Sequence, residues 1–162
     1  MKKIGTLFLK LIVFISFLYP HCQVPCGIYD DALRIVQMKE DVTTIRNGMG
    51  KINGLSTQSK SAQDMNQIIR WVNTKEDHAS HIQTIVSDYF LTQRIKFKDV
   101  GQEDREKYVQ QTTILHQLLV AAMKCRQTVD ESNCDKVLSL IDEFSKLYFN
   151  EHGLKHLKEL EG

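Results

Sequence analysis

Apolar residues recur at intervals of three and four positions along most of the chain, which is the spacing of a helix that buries one face. The first such stretch follows Asp30 and Asp31, two acidic residues that favour a helix N-terminus and its partial positive charge. Gly54 is expected to end this helix. The apolar positions that we expect it to bury are Ile35, Met38, Val42, Ile45, Met49 and Ile52.

Three further stretches carry the same spacing. We predict a second helix over about 61–93, with Lys75 as the one polar position on its face, a third over about 102–126, and a fourth from near Ser132. The predicted core positions of these helices are Met65, Ile68, Val72, Ala79, Ile82, Val86, Tyr89, Tyr108, Leu115, Leu118, Leu119, Ala122, Val137, Leu140, Ile141, Phe144, Leu147 and Tyr148.

The connections between the predicted helices are short, at 54–60, 97–101 and 127–131, and no proline follows Pro25. The absence of proline suits long helices, and short links join antiparallel neighbours. We therefore predict one all-α domain over residues 30–162, an antiparallel up-down-up-down four-helix bundle with a C-terminal tail.

Residues 1–20 have the pattern of an export signal. Lys2 and Lys3 give a basic start, and an apolar run over 11–18 follows, which is short for a helix that spans a membrane. We expect this leader to be removed and the mature protein to be periplasmic or extracellular. The alternative is an uncleaved signal anchor that leaves the protein tethered to a membrane.

The charge of the chain is nearly balanced, with 21 Lys and Arg against 20 Asp and Glu. Loss of the leader leaves 18 basic residues against the same 20 acidic ones. This balance argues against a dedicated nucleic-acid-binding protein, which usually carries a basic patch. Because export favours disulfides, Cys125 and Cys134 beside the last connection are either a disulfide or two free thiols on a surface turn.

The segment 21–29, between the leader and the first helix, holds the candidate chemistry. Cys22 and Cys26 lie four positions apart, and His21 precedes them, a set of soft and borderline metal ligands. Pro25 and Gly27 bracket Cys26, so the backbone can hook round and bring both sulfurs to one ion. The alternative is a small Cys22–Cys26 disulfide without a metal.

A cut before His21 would provide four donors in a plane: the new α-amine, the Cys22 amide nitrogen and the two thiolates. The amine, the amide and the Cys22 sulfur close adjacent chelate rings, and the His21 imidazole can reach an axial position. Planar nitrogen and sulfur coordination indicates Ni(II) or Cu(II). Zinc prefers a tetrahedron and has no redox chemistry.

The hook, as we call segment 21–29, reads H-C-x-x-P-C-G-x-Y and resembles the nickel hook of nickel-containing superoxide dismutases. Residues 87–90 resemble the S-D-Y-F segment of the same family. The resemblance implies a four-helix bundle that assembles as a homohexamer. It also implies dismutation of superoxide, the substrate, to dioxygen and hydrogen peroxide with nickel as cofactor, cycling between Ni(II) and Ni(III).

The resemblance also implies a role for each matching residue. Cys22 and Cys26 are then thiolate ligands, and Cys22 adds its amide nitrogen. His21 adds its α-amine and, in the oxidised form, its imidazole. Tyr29 and Tyr89 are the implied catalytic tyrosines, with Tyr29 at the mouth of the site and Tyr89 reaching it from the bundle.

The chain departs from the family pattern in three ways. Gln23 stands where well-known members carry an acidic residue. The acid and the arginine that steady the axial imidazole have no aligned match, so Glu40, Arg34 and Arg46 are the candidates. The leader resembles an export signal instead of a polar propeptide, and because Pro20 precedes the cut we expect a dedicated processing protease.

Two function classes compete on the sequence. One is the nickel superoxide dismutase, and the other is a non-enzymatic nickel or copper carrier that uses the same N-terminal chelate. The remaining metal-type spacings are the histidine pairs at 78/81 and 152/156, each one helical turn apart, which we interpret as solvated faces. We interpret Arg94, Lys96 and Lys98 as a solvated helix end.

Overall fold

The computed structural model describes residues 30–57 and 61–162, and every regular element in these ranges is a helix, so the predicted all-α fold is confirmed. None of the described helices combines the length and the apolar character needed to cross a membrane. The predicted leader and the hook lie outside the described residues. The helices are α1 (Asp31–Ser56), α2 (Ala62–Thr84, continued by a π-helical segment, Ile85–Arg94), α3 (Arg105–Gln127), α4 (Ser132–Tyr148) and α5 (Glu151–Glu161).

Contacts between helix ends establish an antiparallel course for α1 to α4. Asp31 at the start of α1 binds Arg94 at the end of the π-helical segment and Tyr148 at the end of α4. Toward the opposite end, Lys75 of α2 binds the last turn of α3 at Cys125. We call the end that contains Asp31 the hook end, because residue 30 directly follows the hook in sequence, and the opposite one the far end.

The core runs along the whole length of α1. All six apolar positions predicted for this helix are buried. Phe90 and Phe144 fill the space toward the hook end, and their rings meet edge to face with centroids 4.9 Å apart. Burial of a side chain of this size contributes about 1.5–3 kcal/mol, so packing of α2 and α4 against α1 holds the hook end in one arrangement.

The first turns of α2 differ from the prediction. Met65 is 45% exposed, although its spacing predicts burial, and the neighbouring Ile69 is 57% exposed. The reason is helix length, because α3 ends where Lys75 binds the carbonyl oxygens of Cys125 and Arg126. The turns of α2 before Lys75 therefore extend beyond the last turn of α3, and Met65 and Ile69 are exposed there.

Lys75 is buried, with 2% of its surface exposed. Its ammonium donates to the carbonyl oxygen of Cys125 at 2.8 Å and to that of Arg126. The last carbonyls of a helix have no intrahelical partner, so the ammonium of Lys75 caps α3 from the side. Lys75, the one polar position on the predicted apolar face of α2, is thus buried there because it caps the end of α3.

The predicted C-terminal tail contains a fifth helix that the sequence pattern did not reveal. Asn150 caps α5, and its side-chain oxygen accepts from the amide of Gly153 at 2.9 Å. Leu157 is the one buried residue of α5, and a Lys39–Glu161 ion pair at 2.7 Å ties its end to α1. Helix α5 therefore packs against α1 beside the start of the bundle.

Candidate functional site

The structure describes one of the predicted site residues. Tyr89 is 2% exposed and lies at the hook end. The predicted ligands His21, Cys22 and Cys26, and the predicted catalytic Tyr29, are outside the described residues. The site is therefore built from the residues that surround Tyr89 and from the point at which the chain enters α1.

One carboxylate, that of Asp31, joins three elements around Tyr89. Its Oδ1 accepts a short hydrogen bond from the Tyr89 hydroxyl and another from Arg94 Nε at 2.8 Å. Its Oδ2 accepts from the Tyr148 hydroxyl at 2.7 Å. Arg94 Nη2 also donates to the Tyr89 hydroxyl oxygen at 2.8 Å. The Tyr89 hydroxyl is thus fixed, with its proton directed at Asp31.

The π-helical segment explains how two residues five apart share this site. The Ile95 amide donates to the Phe90 carbonyl oxygen at 2.9 Å, an i to i+5 bond, and the side chains of Thr92 and Gln93 bond carbonyls five residues back. In an α-helix, residues three and four apart are neighbours. In a π-helix the wider turn brings residues five apart together, so Arg94 reaches the hydroxyl of Tyr89.

Two guanidinium groups flank the ring of Tyr89. The Cζ atom of Arg94 lies 4.9 Å from the ring centroid and that of Arg34 lies 5.0 Å from it. A cation over an aromatic face is attracted by the ring, and the attraction strengthens where water is excluded. Lys96, Lys98 and Lys107 line the groove beyond Arg94, next to Asp31. The hook end therefore carries several positive charges around one buried tyrosine.

Both hydroxyls at Asp31 are held in the neutral form. Burial raises the pKa of Tyr89, and its hydrogen bond to Asp31 raises it further, while Arg94 opposes the rise. Burial also raises the pKa of Tyr148, again with a contribution from the hydrogen bond to Asp31. A tyrosine beside a carboxylate resists losing its proton, because two negative charges would then lie together.

We expect the bundle to lose stability above about pH 10, where tyrosine ionises in the unfolded chain. Because the folded state keeps the Tyr148 proton to a higher pH, the folded chain then binds more protons than the unfolded chain, and the free energy of unfolding falls as the pH rises. Tyr148→Phe should cost about 1–3 kcal/mol at pH 7, from the lost bond to a carboxylate, and should weaken this alkaline decline.

Urea unfolding of wild type and variant between pH 7 and about pH 11 measures both effects. The matched control is Tyr108→Phe, since the Tyr108 ring contacts Phe97 and Arg105 instead of a carboxylate. If the free energy of unfolding fell equally steeply with pH in Tyr148→Phe and in wild type, Tyr148 would not be a cause of the alkaline loss of stability.

The entry of the chain into α1 is fixed on two sides. Asp30 is the N-cap of α1, and its Oδ1 accepts from the Ala32 amide at 2.9 Å. Its Oδ2 hydrogen bonds with Nε2 of His156 from α5. Helix α5 therefore holds Asp30, the residue that directly follows Tyr29 in the sequence.

Sequence reasoning missed three residues of this cluster. The pattern indicates a helix start at Asp31, a solvated helix end at Arg94 and core at Tyr148, whereas the structure joins all three. The signal in the sequence is an acidic residue two positions after Tyr29 and an arginine five positions after Tyr89. That spacing indicates a contact only once the π-helical turn is known.

The three candidates for steadying the axial imidazole lie in different places. Arg34 is at the hook end, over the ring of Tyr89. Arg46 pairs with Asp135 at the start of α4, toward the far end. Glu40 is exposed on α1. Of the three, Arg34 alone is placed beside the predicted catalytic tyrosine.

The histidine pairs differ from the predicted solvated faces. Nδ1 of His78 and Nδ1 of His81 lie 2.6 Å and 2.7 Å from the two oxygens of the buried Asp41 carboxylate. His156 binds Asp30, as described above. Within residues 30–57 and 61–162, no three His, Cys, Asp or Glu side chains are grouped so that they could hold a metal ion. The predicted metal ligands therefore remain those of the hook.

Comparison with known proteins identifies the family. The nickel-containing superoxide dismutase family matches residues 18–152, which include the hook, the Asp31 cluster and the helices α1 to α4. Comparisons with curated proteins and with solved structures give no significant match. The match covers most of the 162 residues and confirms the predicted enzyme class and nickel cofactor. The chain belongs to the nickel-containing superoxide dismutases, oxidoreductases that convert superoxide to dioxygen and hydrogen peroxide.

Proposed function

We propose that this chain dismutes superoxide at a nickel ion held by its own mature N-terminus, with His21 as the first residue. The ligands in this proposal are the α-amine and imidazole of His21, the amide nitrogen and thiolate of Cys22, and the thiolate of Cys26. The single observation that carries the proposal is the family match, because its range, residues 18–152, includes both the hook and the helices α1 to α4.

The donor set fits nickel by its chemistry. Two thiolates and an amide nitrogen are strongly electron-donating, and a set of two nitrogens and two sulfurs would suit Ni(II) or Cu(II), of which the family match indicates nickel. Nickel bound in this way supplies a one-electron Ni(II)/Ni(III) couple for the reaction. The thiols and the amide must lose their protons to bind, so we expect nickel loading to fail at low pH.

The bundle contributes a fixed neutral hydroxyl at the hook end. Cys26 is five residues before Asp31, so the two Cα atoms cannot be more than about 18 Å apart. The hydroxyl of Tyr89 donates to Asp31 and accepts from Arg94, which keeps its oxygen in one position at the hook end. A hydroxyl held in this way can order a water molecule for proton transfer and narrow the approach for larger anions.

We further propose that residues 1–20 direct export, that a dedicated protease removes them before His21, and that the mature protein is a homohexamer outside the cytoplasm. The basic start and apolar run of the leader support export, and the family match begins only at residue 18. The exposed Met65 and Ile69 on the projecting turns of α2 support assembly, because a neighbouring copy can cover them.

The test is to isolate the mature protein from its native export pathway and to measure its intact mass, its nickel content and its rate of superoxide removal. We expect a chain that starts at His21, about one nickel per chain, and dismutation. Light scattering on the same sample gives the number of copies. A mature chain that starts elsewhere, or that contains zinc in place of nickel, would refute the proposed ligand set.

A variant with one glycine added before His21 separates the α-amine ligand from the thiolates. We expect it to keep the helical content of the bundle and to lose dismutation, because the amine moves out of the chelate ring. A protein that binds nickel reversibly with no dismutation before or after this change would instead be a carrier.

A further inference from the structure

Two cysteines at the far end of the bundle take no part in the proposed nickel site. Cys125 is in the last turns of α3 and Cys134 is in the first turn of α4, on either side of the short α3–α4 connection. Both side chains are completely buried and both thiols are free. They belong to the same buried core cluster, and each thiol acts directly on the pKa of the other, so the two side chains are neighbours inside the core.

The surroundings of the pair are polar and positively charged on one side. The buried ammonium of Lys75 donates to the carbonyl oxygen of Cys125 at 2.8 Å. Arg46 of α1, which pairs with Asp135, is close enough to act on Cys134. On the other side the Cys134 sulfur contacts the sulfur of Met49 at 3.7 Å. The charge of Arg46 favours a thiolate at Cys134, while the carboxylates of Asp135 and Glu131 oppose it.

The two thiols are not equivalent. The hydrogen bond that Cys125 donates lowers the pKa of Cys134, while burial of Cys134 opposes the change. The same hydrogen bond raises the pKa of Cys125, and burial adds to the rise. Since the thiolate is the reactive form, the lower pKa of Cys134 favours it over Cys125 as the thiol that reacts first.

We propose that Cys125 and Cys134 are a redox pair that hydrogen peroxide, the product of the family reaction, closes to a disulfide. The Cys134 thiolate attacks one peroxide oxygen, the O–O bond breaks, and a sulfenic acid and hydroxide form. The Cys125 sulfur then attacks the Cys134 sulfur and displaces water. In total, two thiols and one hydrogen peroxide give one disulfide and two waters.

With the pair in this position, we expect the protein with the disulfide to resist unfolding better than the protein with two free thiols. A disulfide here closes a loop of about ten residues around the exposed connection and removes conformational freedom from the unfolded chain. For a protein of this size we expect the melting temperature to rise by about 5–10 °C on oxidation. The disulfide would hold α3 and α4 together at the end where the first turns of α2 extend beyond α3.

The test treats the fully reduced, nickel-loaded mature protein with added hydrogen peroxide, so its outcome does not depend on dismutation by the chain. After alkylation under denaturing conditions, trypsin cuts after Lys124, Arg126 and Lys136 and separates the two cysteines. We expect a linked peptide pair, residues 125–126 joined to residues 127–136, with the mass of two hydrogens lost.

Cys125→Ser and Cys134→Ser are the matched variants, and neither should show the linked peptides or the rise in melting temperature. Three results would overturn the proposal. The first is that both cysteines are still alkylated after peroxide treatment. The second is that Cys134 is oxidised to a sulfinic acid without a link, and the third is that one of the pair is linked to a hook cysteine.

Discussion

Replacing Cys26 with serine is expected to abolish superoxide dismutation and to leave the helical bundle folded. The substitution removes one of the two thiolates that the proposed nickel site requires, and a serine hydroxyl stays protonated at neutral pH. Loss of a residue that only hydrogen bonds to a metal ligand costs about 10–100-fold in affinity or activity. For loss of a ligand itself we therefore expect the rate of superoxide removal to fall by more than about 100-fold. Nickel content by elemental analysis and the rate of superoxide removal measure the effect.

The same change at a cysteine outside the site is the control for this experiment. Cys134→Ser also exchanges sulfur for oxygen, but at the far end of the bundle, and should keep nickel and activity below its melting temperature. The circular dichroism of Cys26→Ser should match that of wild type, because the buried core is built from residues between Ala32 and Leu157. Activity of Cys26→Ser within tenfold of wild type would exclude this thiolate as a ligand.

The sequence allowed the four long helices and most of the core to be predicted, because the burial of each position follows from helical spacing. The six apolar positions predicted for α1 are buried, and so is Phe144 of α4. The prediction was wrong for Met65, since spacing indicates which face of a helix is apolar but not how far the partner helix extends. Helix α5 was missed because one buried residue, Leu157, sets no periodic pattern.

The candidate site divides in a similar way. The ligands of the hook are predicted from residue type and spacing, because the chemistry of a short chelate is local in sequence, and they stay a prediction. The cluster at Asp31 was not predicted, because it depends on contacts between three helix ends and on a π-helical turn. Nothing in the composition of 85–94 separates a π-helical from an α-helical path, so the register of Arg94 had to come from the structure.

Asp31→Ala is expected to have the second large effect, on stability and on activity together. It leaves Arg94 without its carboxylate, and the hydroxyls of Tyr89 and Tyr148 without their acceptor. For a partly buried cluster of this kind we expect a loss of about 2–4 kcal/mol in the free energy of unfolding. Tyr89 and the start of α1 would then no longer be held, and a misplaced group can cost about 100-fold in rate.

Asp135→Ala is the matched control, because its carboxylate also pairs with an arginine but is 70% exposed and lies away from the hook end. A surface pair of this kind contributes up to about 1 kcal/mol to the free energy of unfolding, so stability should change little. Activity should not change, because the pair lies away from the hook end. Asp31→Asn should lie between, since its amide keeps one oxygen as acceptor but loses the charge that holds Arg94. Urea unfolding and superoxide removal, measured on nickel-loaded protein, give both quantities. If Asp31→Ala lost stability but kept full activity per nickel, the cluster would support the bundle without positioning the site.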